Sequence, residues 1–124
     1  MTAAESPRPS RVERFADRTT AEQLAVFLSH FANPLRLRLM CRLVCGGRLT
    51  VNELADWAGE SQSAVSRQLK LLWNARLLDR EKIGTYAFYT VADPAVVETM
   101  EFVASLADRV QQPRGWGSTT RPQR

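Results

Sequence analysis

Between residues 50 and 91 the chain sets apolar periods and capping residues in an order that few folds accommodate. Thr50 and Glu53 form a capping box, and Val51, Leu54 and Ala55 lie behind it, so residues 50–57 read as a helix. Ala58-Gly59-Glu60 breaks that helix. Ser61 then caps a second one, in which Val65, Leu69 and Leu72 share a face. Residues 77–82 and 86–91 follow as two short strands. Helix, glycine-containing turn, helix and strand pair make the pattern of a helix-turn-helix with a wing.

The flanks supply more helices. Thr20 with Gln23 predicts a first helix over residues 20–32, with Leu24, Phe27, Leu28 and Phe31 on one stripe. Asn33-Pro34 offers an N-cap and a first-turn proline for a second helix, which Gly46-Gly47 ends. Leu35, Leu39 and Leu43, with Met40 and Val44, would face inward. Asp93-Pro94 starts a last helix carrying Val97, Met100, Val103, Ala104 and Ala107. The predicted fold is mainly α (α+β), a winged helix-turn-helix of order ααααββα. One domain over residues 19–110 is expected, between disordered tails at 1–18 and 111–124, where Pro, Gly and Arg are frequent.

The chain has 124 residues, 44% of them apolar, enough for one modest core. No apolar run approaches the ~20 residues of a membrane span, and the N-terminus lacks the apolar core of a secretory signal. A cytoplasmic location without a membrane partner is therefore expected. The net charge of +4 is uneven: residues 19–110 hold ten basic and ten acidic side chains, so the excess lies in the tails. DNA affinity must then come from a local patch, with the tails adding non-specific attraction to phosphates.

The second helix of the pair provides that patch. With Val65, Leu69 and Leu72 inward, Gln62, Ser63, Ser66, Arg67 and Lys70 turn outward. Ser61 caps the helix and aims its N–H groups at a phosphate. Gln62, Ser63, Ser66, Arg67 and Gln68 are residue types that pair with base edges; Gln suits adenine and Arg suits guanine. Lys70, with Arg80 and Lys82 from the wing, suits backbone phosphates. The competing interpretation is a winged helix that binds only proteins. An enzyme is disfavoured, because the sequence offers no carboxylate pair, phosphate loop, metal cluster or nucleophile–base set, and it implies no cofactor.

The segments 33–39 (Asn33-Pro34-Leu35-Arg36-Leu37-Arg38-Leu39), 49–55 and 61–72, with the wing residues Gly84 to Tyr89, resemble the ArsR/SmtB family of bacterial repressors over roughly residues 18–110. The resemblance implies a homodimer through the first and last helices, bound to an inverted repeat in double-stranded DNA until an unknown inducer acts. Two departures stand out. Gln68 occupies a position where the family commonly has His, and Arg76 replaces a frequent Gly after the recognition helix. A left-handed backbone at Arg76 would cost ~1 kcal/mol.

The sensing chemistry stays open. The family's metal-binding cysteines would align with Thr50 and Asn52, and no His lies between Asp93 and Val110 to build the site of the last helix. No metal site is therefore expected. Cys41 matches a cysteine of the family's thiol-sensing branch, whose partner would fall near Asp108. Cys41 and Cys45 sit four apart, on one helical face, where a disulfide is geometrically awkward. Arg38 and Arg42 stand three residues before them, as cations that would favour thiolate. The two thiols take oxidation or persulfide, bind a thiophilic ion such as arsenite, or are inert small hydrophobes. His30, the single histidine, makes no metal site alone. Trp57 and Trp73 fit core or interface positions, Trp116 falls in the C-terminal tail, and Tyr86, Phe88 and Tyr89 are expected to buttress the wing.

Overall fold

The computed structural model describes residues 11–109. A 3₁₀ turn, Val12–Ala16, precedes α1 (Arg18–Ser29); α2 (Pro34–Gly46), β1 (Leu49–Thr50), α3 (Val51–Ala58), α4 (Gln62–Asn74), β2 (Leu78–Ile83), β3 (Tyr86–Val91) and α5 (Pro94–Arg109) follow. Helical structure thus starts inside the stretch taken from sequence as an N-terminal tail. The tail expected over residues 111–124, with Trp116, lies outside the described residues.

Most capping signals act as the sequence predicts. Asn33 Oδ1 accepts from the Arg36 N–H at 2.9 Å and Ser61 Oγ from the Ala64 N–H at 3.1 Å. At α3 both bonds of the capping box form: Thr50 Oγ1 accepts from the Glu53 N–H, and Glu53 Oε1 from the Thr50 N–H. The first helix differs. Asp17, not Thr20, is its cap, accepting from the Thr20 N–H at 2.9 Å and the Thr20 hydroxyl at 3.0 Å. A carboxylate at a helix N-terminus also gains from the helix dipole. Those hydrogen bonds hold the Asp17 carboxyl below its usual range.

The strand pair is a three-stranded sheet of order β1-β3-β2. β2 and β3 pair antiparallel from Leu78↔Val91 to Ile83↔Tyr86, and β1 adds Leu49↔Tyr89 and Thr50↔Phe88. A two-residue strand carries no periodicity, which is why β1 escapes the sequence pattern. The hairpin turns at Gly84, whose φ of 62° is open to glycine.

Leu39, Met40 and Leu43 of α2 meet Leu54, Ala55 and Ala58 of α3 and Val65, Leu69 and Leu72 of α4 in one buried cluster, closed by Leu77, Leu78, Tyr89 and Val96. Phe27 and Phe31 pack on its edge with ring centroids 5.1 Å apart. The outer helices are less covered than their stripes suggest. Leu24 and Leu28 are exposed on α1, and so are Phe102 and Val103 on α5, where Val96 is the buried residue. The aromatic wing cluster also divides. Tyr89 is buried, Phe88 lies beneath the Arg48 guanidinium at 4.9 Å, and Tyr86 is exposed near the hairpin tip.

α4 ends at Asn74, and Arg76 then takes φ 65°. This left-handed turn lets the Leu77 N–H reach Leu72 O at 3.0 Å and brings Leu77 into the core. A Cβ at that φ is strained. Arg76→Gly is expected to stabilise the protein by about 0.5–1 kcal/mol in urea unfolding, since relief of the Cβ clash outweighs the entropy glycine adds to the unfolded chain.

Candidate nucleic-acid interface

The core residues of α4 fix its opposite side. Ser63, Arg67 and Lys70, at i, i+4 and i+7, form an exposed ridge, with exposed Gln62 and half-buried Ser66 on one flank. Ser61 stands at the tip, its hydroxyl 3.3 Å from that of Ser63. The first-turn N–H groups beyond the cap have no intrahelical acceptor, so the helix presents its positive end there. Gly59, at φ 71°, makes the turn that swings α4 out from α3.

The wing contributes unevenly. Lys82 is exposed on β2. Arg80, half-buried on the same strand, lies 4.9 Å over the Trp73 ring of α4. Arg48 pairs with Glu81 at 3.0 Å, an exposed contact worth little by itself.

Gln68 is placed apart from the ridge. It is half-buried, and its Oε1 accepts from Arg36 Nη1 at 2.8 Å. Arg36 also donates from Nε to the His30 carbonyl and from Nη2 to the Ser29 carbonyl, both at 3.1 Å. Arg36 carries no local signal of this role in the sequence beyond the Gln68 departure on another helix. Burial first, and the Arg36 charge second, hold His30 below the ordinary imidazole value of 6.5.

Arg38 and Arg42 both reach Trp57. Their guanidinium groups lie 5.2 and 5.8 Å over the Trp57 ring, and Arg38 Nη1 donates to Ala58 O at 3.2 Å. Partial desolvation, then the neighbouring Cys45, push the Cys41 thiol up rather than down. Both cysteines are exposed and free. They line a cavity of about 180 Å³ between α2 and α5, with Val97, Met100 and Glu101. Cys41 also borders a larger apolar one of about 530 Å³, with Phe31, Leu37 and Trp57. Trp57 and Trp73 are both partly exposed under arginines rather than packed in the core. Among the described residues, no three or more His, Cys, Asp or Glu gather as a metal site.

A capped polar helix set out from a helical core, beside a β-hairpin, defines a winged helix-turn-helix regulator. The family described as bacterial regulatory protein, arsR family, matches residues 33–80. A transcriptional repressor SmtB homolog of Synechocystis is 39% identical over 92 residues, 74% of this chain and 67% of that protein. The transcriptional regulator NmtR of Mycobacterium tuberculosis is 35% identical over 85 residues, 68% of this chain and 70% of its own. The crystal structure of the AntR antimony-specific transcriptional repressor superposes with a TM-score of 0.75 at 32% identity, covering 86% of this chain and 97% of that one. The chain belongs to the ArsR/SmtB family. It is a DNA-binding transcriptional regulator and not an enzyme, and a winged helix that binds only proteins is not favoured.

The depressed His30 value has a sign that can be checked. The unfolded chain takes up the proton first, so the contribution of neutral His30 is complete above about pH 6.5 and is lost as pH falls through the lower folded value. Thermal midpoints of the wild type should fall between pH 7.5 and 5.5, more steeply than those of His30→Gln. Equal slopes would remove His30 from the pH dependence.

Proposed function

We propose that this chain is a homodimeric repressor that occupies an inverted repeat in double-stranded DNA and leaves it when an inducer engages Cys41 and Cys45. The observation that carries this reading is the exposed ridge Ser63–Arg67–Lys70 behind the Ser61 cap. Arg67 reads guanine and Gln62 adenine, while Ser61, Ser63 and Ser66 stay small enough for close approach to the groove. Lys70, Lys82 and the stacked Arg80 meet phosphates. Gln68 serves as an anchor of the helix, since Arg36 occupies its amide oxygen.

The exposed apolar residues of α1 and α5 support a second copy as their cover, and two-fold symmetry then sets the recognition helices ~34 Å apart on the duplex. Among the described residues no helix is long and apolar enough to cross a membrane, which fits a regulator acting in the cytoplasm.

Two neighbouring thiols on one cavity favour one of the sensing chemistries. Oxidation or persulfidation acts on a single thiol, whereas the Cys41–Cys45 pair offers two sulfurs side by side. A hydroxylated trivalent metalloid condenses with two thiols, forming two S–metalloid bonds and releasing two waters, with no change of oxidation state. The structural neighbour named for antimony supports this choice.

Arg67→Ala should weaken operator binding by ~10- to 100-fold and relax sequence preference in gel-shift titrations, and wild-type affinity should fall steeply with salt. Unchanged affinity and specificity would exclude α4 as the recognition element. With Cys41 and Cys45 both changed to Ser, arsenite or antimonite should no longer release the protein from DNA. If release by metalloid, oxidant and polysulfide all persist, the cysteines are not the sensor.

A further inference from the structure

We infer that Arg36 is a positioning residue that locks the recognition helix to the end of α1, so that the dimer face and the DNA-contacting ridge move as one body. The functional half of this inference rests on the homodimeric operator-binding reading above.

The geometry is a three-way tie. Ser29 and His30 supply carbonyls at the C-terminal end of α1, where the last oxygens of a helix lack intrahelical partners and the dipole is negative. The guanidinium of Arg36 donates to both through Nη2 and Nε, the Ser29 carbonyl also accepting from the Ala32 N–H at 3.2 Å. Its remaining edge reaches Gln68 on α4 through Nη1, a charge-assisted bond at 2.8 Å. The planar fork thus spends separate donors on separate elements, and the Asn33 cap on the Arg36 N–H fixes the backbone behind it.

Gln68 sits where such a tie has leverage. Adjacent residues of a helix differ by about 100° around its axis, so Gln68 is held from the side while Arg67 points to the groove. Rolling α4 about its axis strains the directional Gln68 bond as well as the packing of Val65, Leu69 and Leu72. α4 packs mainly on α2, α3 and β2, elements that do not carry the exposed apolar face of α1. Arg36 joins that face to the ridge through directional bonds. Lysine cannot substitute, because a single ammonium does not present a fork to three separated acceptors.

The test separates the tie from its use. Without DNA, amide hydrogen exchange should quicken in both the last turn of α1 and α4 of Arg36→Lys, and in α4 of Gln68→Leu. Quickening confined to α1 would reduce Arg36 to a helix cap and overturn the inference. With DNA, the probe is a duplex carrying the inverted repeat recovered from a random pool, compared with the same duplex lengthened by one base pair between half-sites. One base pair turns the half-sites by about 35°, so the wild type should prefer the native spacing by about tenfold. Arg36→Lys and Gln68→Leu should each lower that preference to about two- to threefold, and the double variant no further. An unchanged preference, with affinity reduced equally for both duplexes, would overturn the inference. Failure of every protein to select a repeat would count against the operator reading alone, and the exchange measurement would still decide the tie.

Discussion

The contact on which this molecule depends is the apolar seam between α2 and the α3–α4 pair. Leu39, Met40 and Leu43 meet Leu54, Val65, Leu69 and Leu72 with almost no solvent between them. In so small a core, truncating any of these leucines to alanine costs roughly 2–5 kcal/mol, a large share of a typical domain's stability. The seam also sets function. By choosing which side of α4 is buried, it chooses which side is exposed, and no residue of the ridge takes part in that choice.

Polar bonds then refine what apolar packing leaves loose. Hydrophobic contact is non-directional and tolerates a helix sliding or rolling by small amounts. Arg36 on Gln68, Arg38 on the Ala58 carbonyl and Arg80 on Trp73 each limit one such motion around the helix-turn-helix. The basic residues of this chain therefore divide by task. Arg67, Lys70 and Lys82 are exposed, whereas several others spend their cations on carbonyls and aromatic rings.

Local chemistry made much of this legible in the sequence. Thr50 with Glu53, Ser61, Asn33-Pro34 and Asp93 mark helix starts by short-range bonds, and the α4 core triad defines the ridge without knowledge of any neighbour. The strained turn at Arg76 was visible as a missing glycine. What stayed hidden depends on which of two local candidates wins, or on distant partners. Asp17 outcompeted Thr20 as a cap through charge. β1 exists because β3 passes beside it, and Arg36 acquires its role from a residue 32 positions away. The arginines near Cys41 illustrate the same limit, since spacing placed them by the thiols while Trp57 drew them off.

Thr50 carries two duties at one backbone position. Its side chain and N–H close the capping box of α3, while its backbone pairs with Phe88 in the sheet. The hairpin and the first helix of the DNA-binding pair are consequently geared together through one buried residue. Any displacement of β3 at Phe88 therefore bears directly on the first turn of α3.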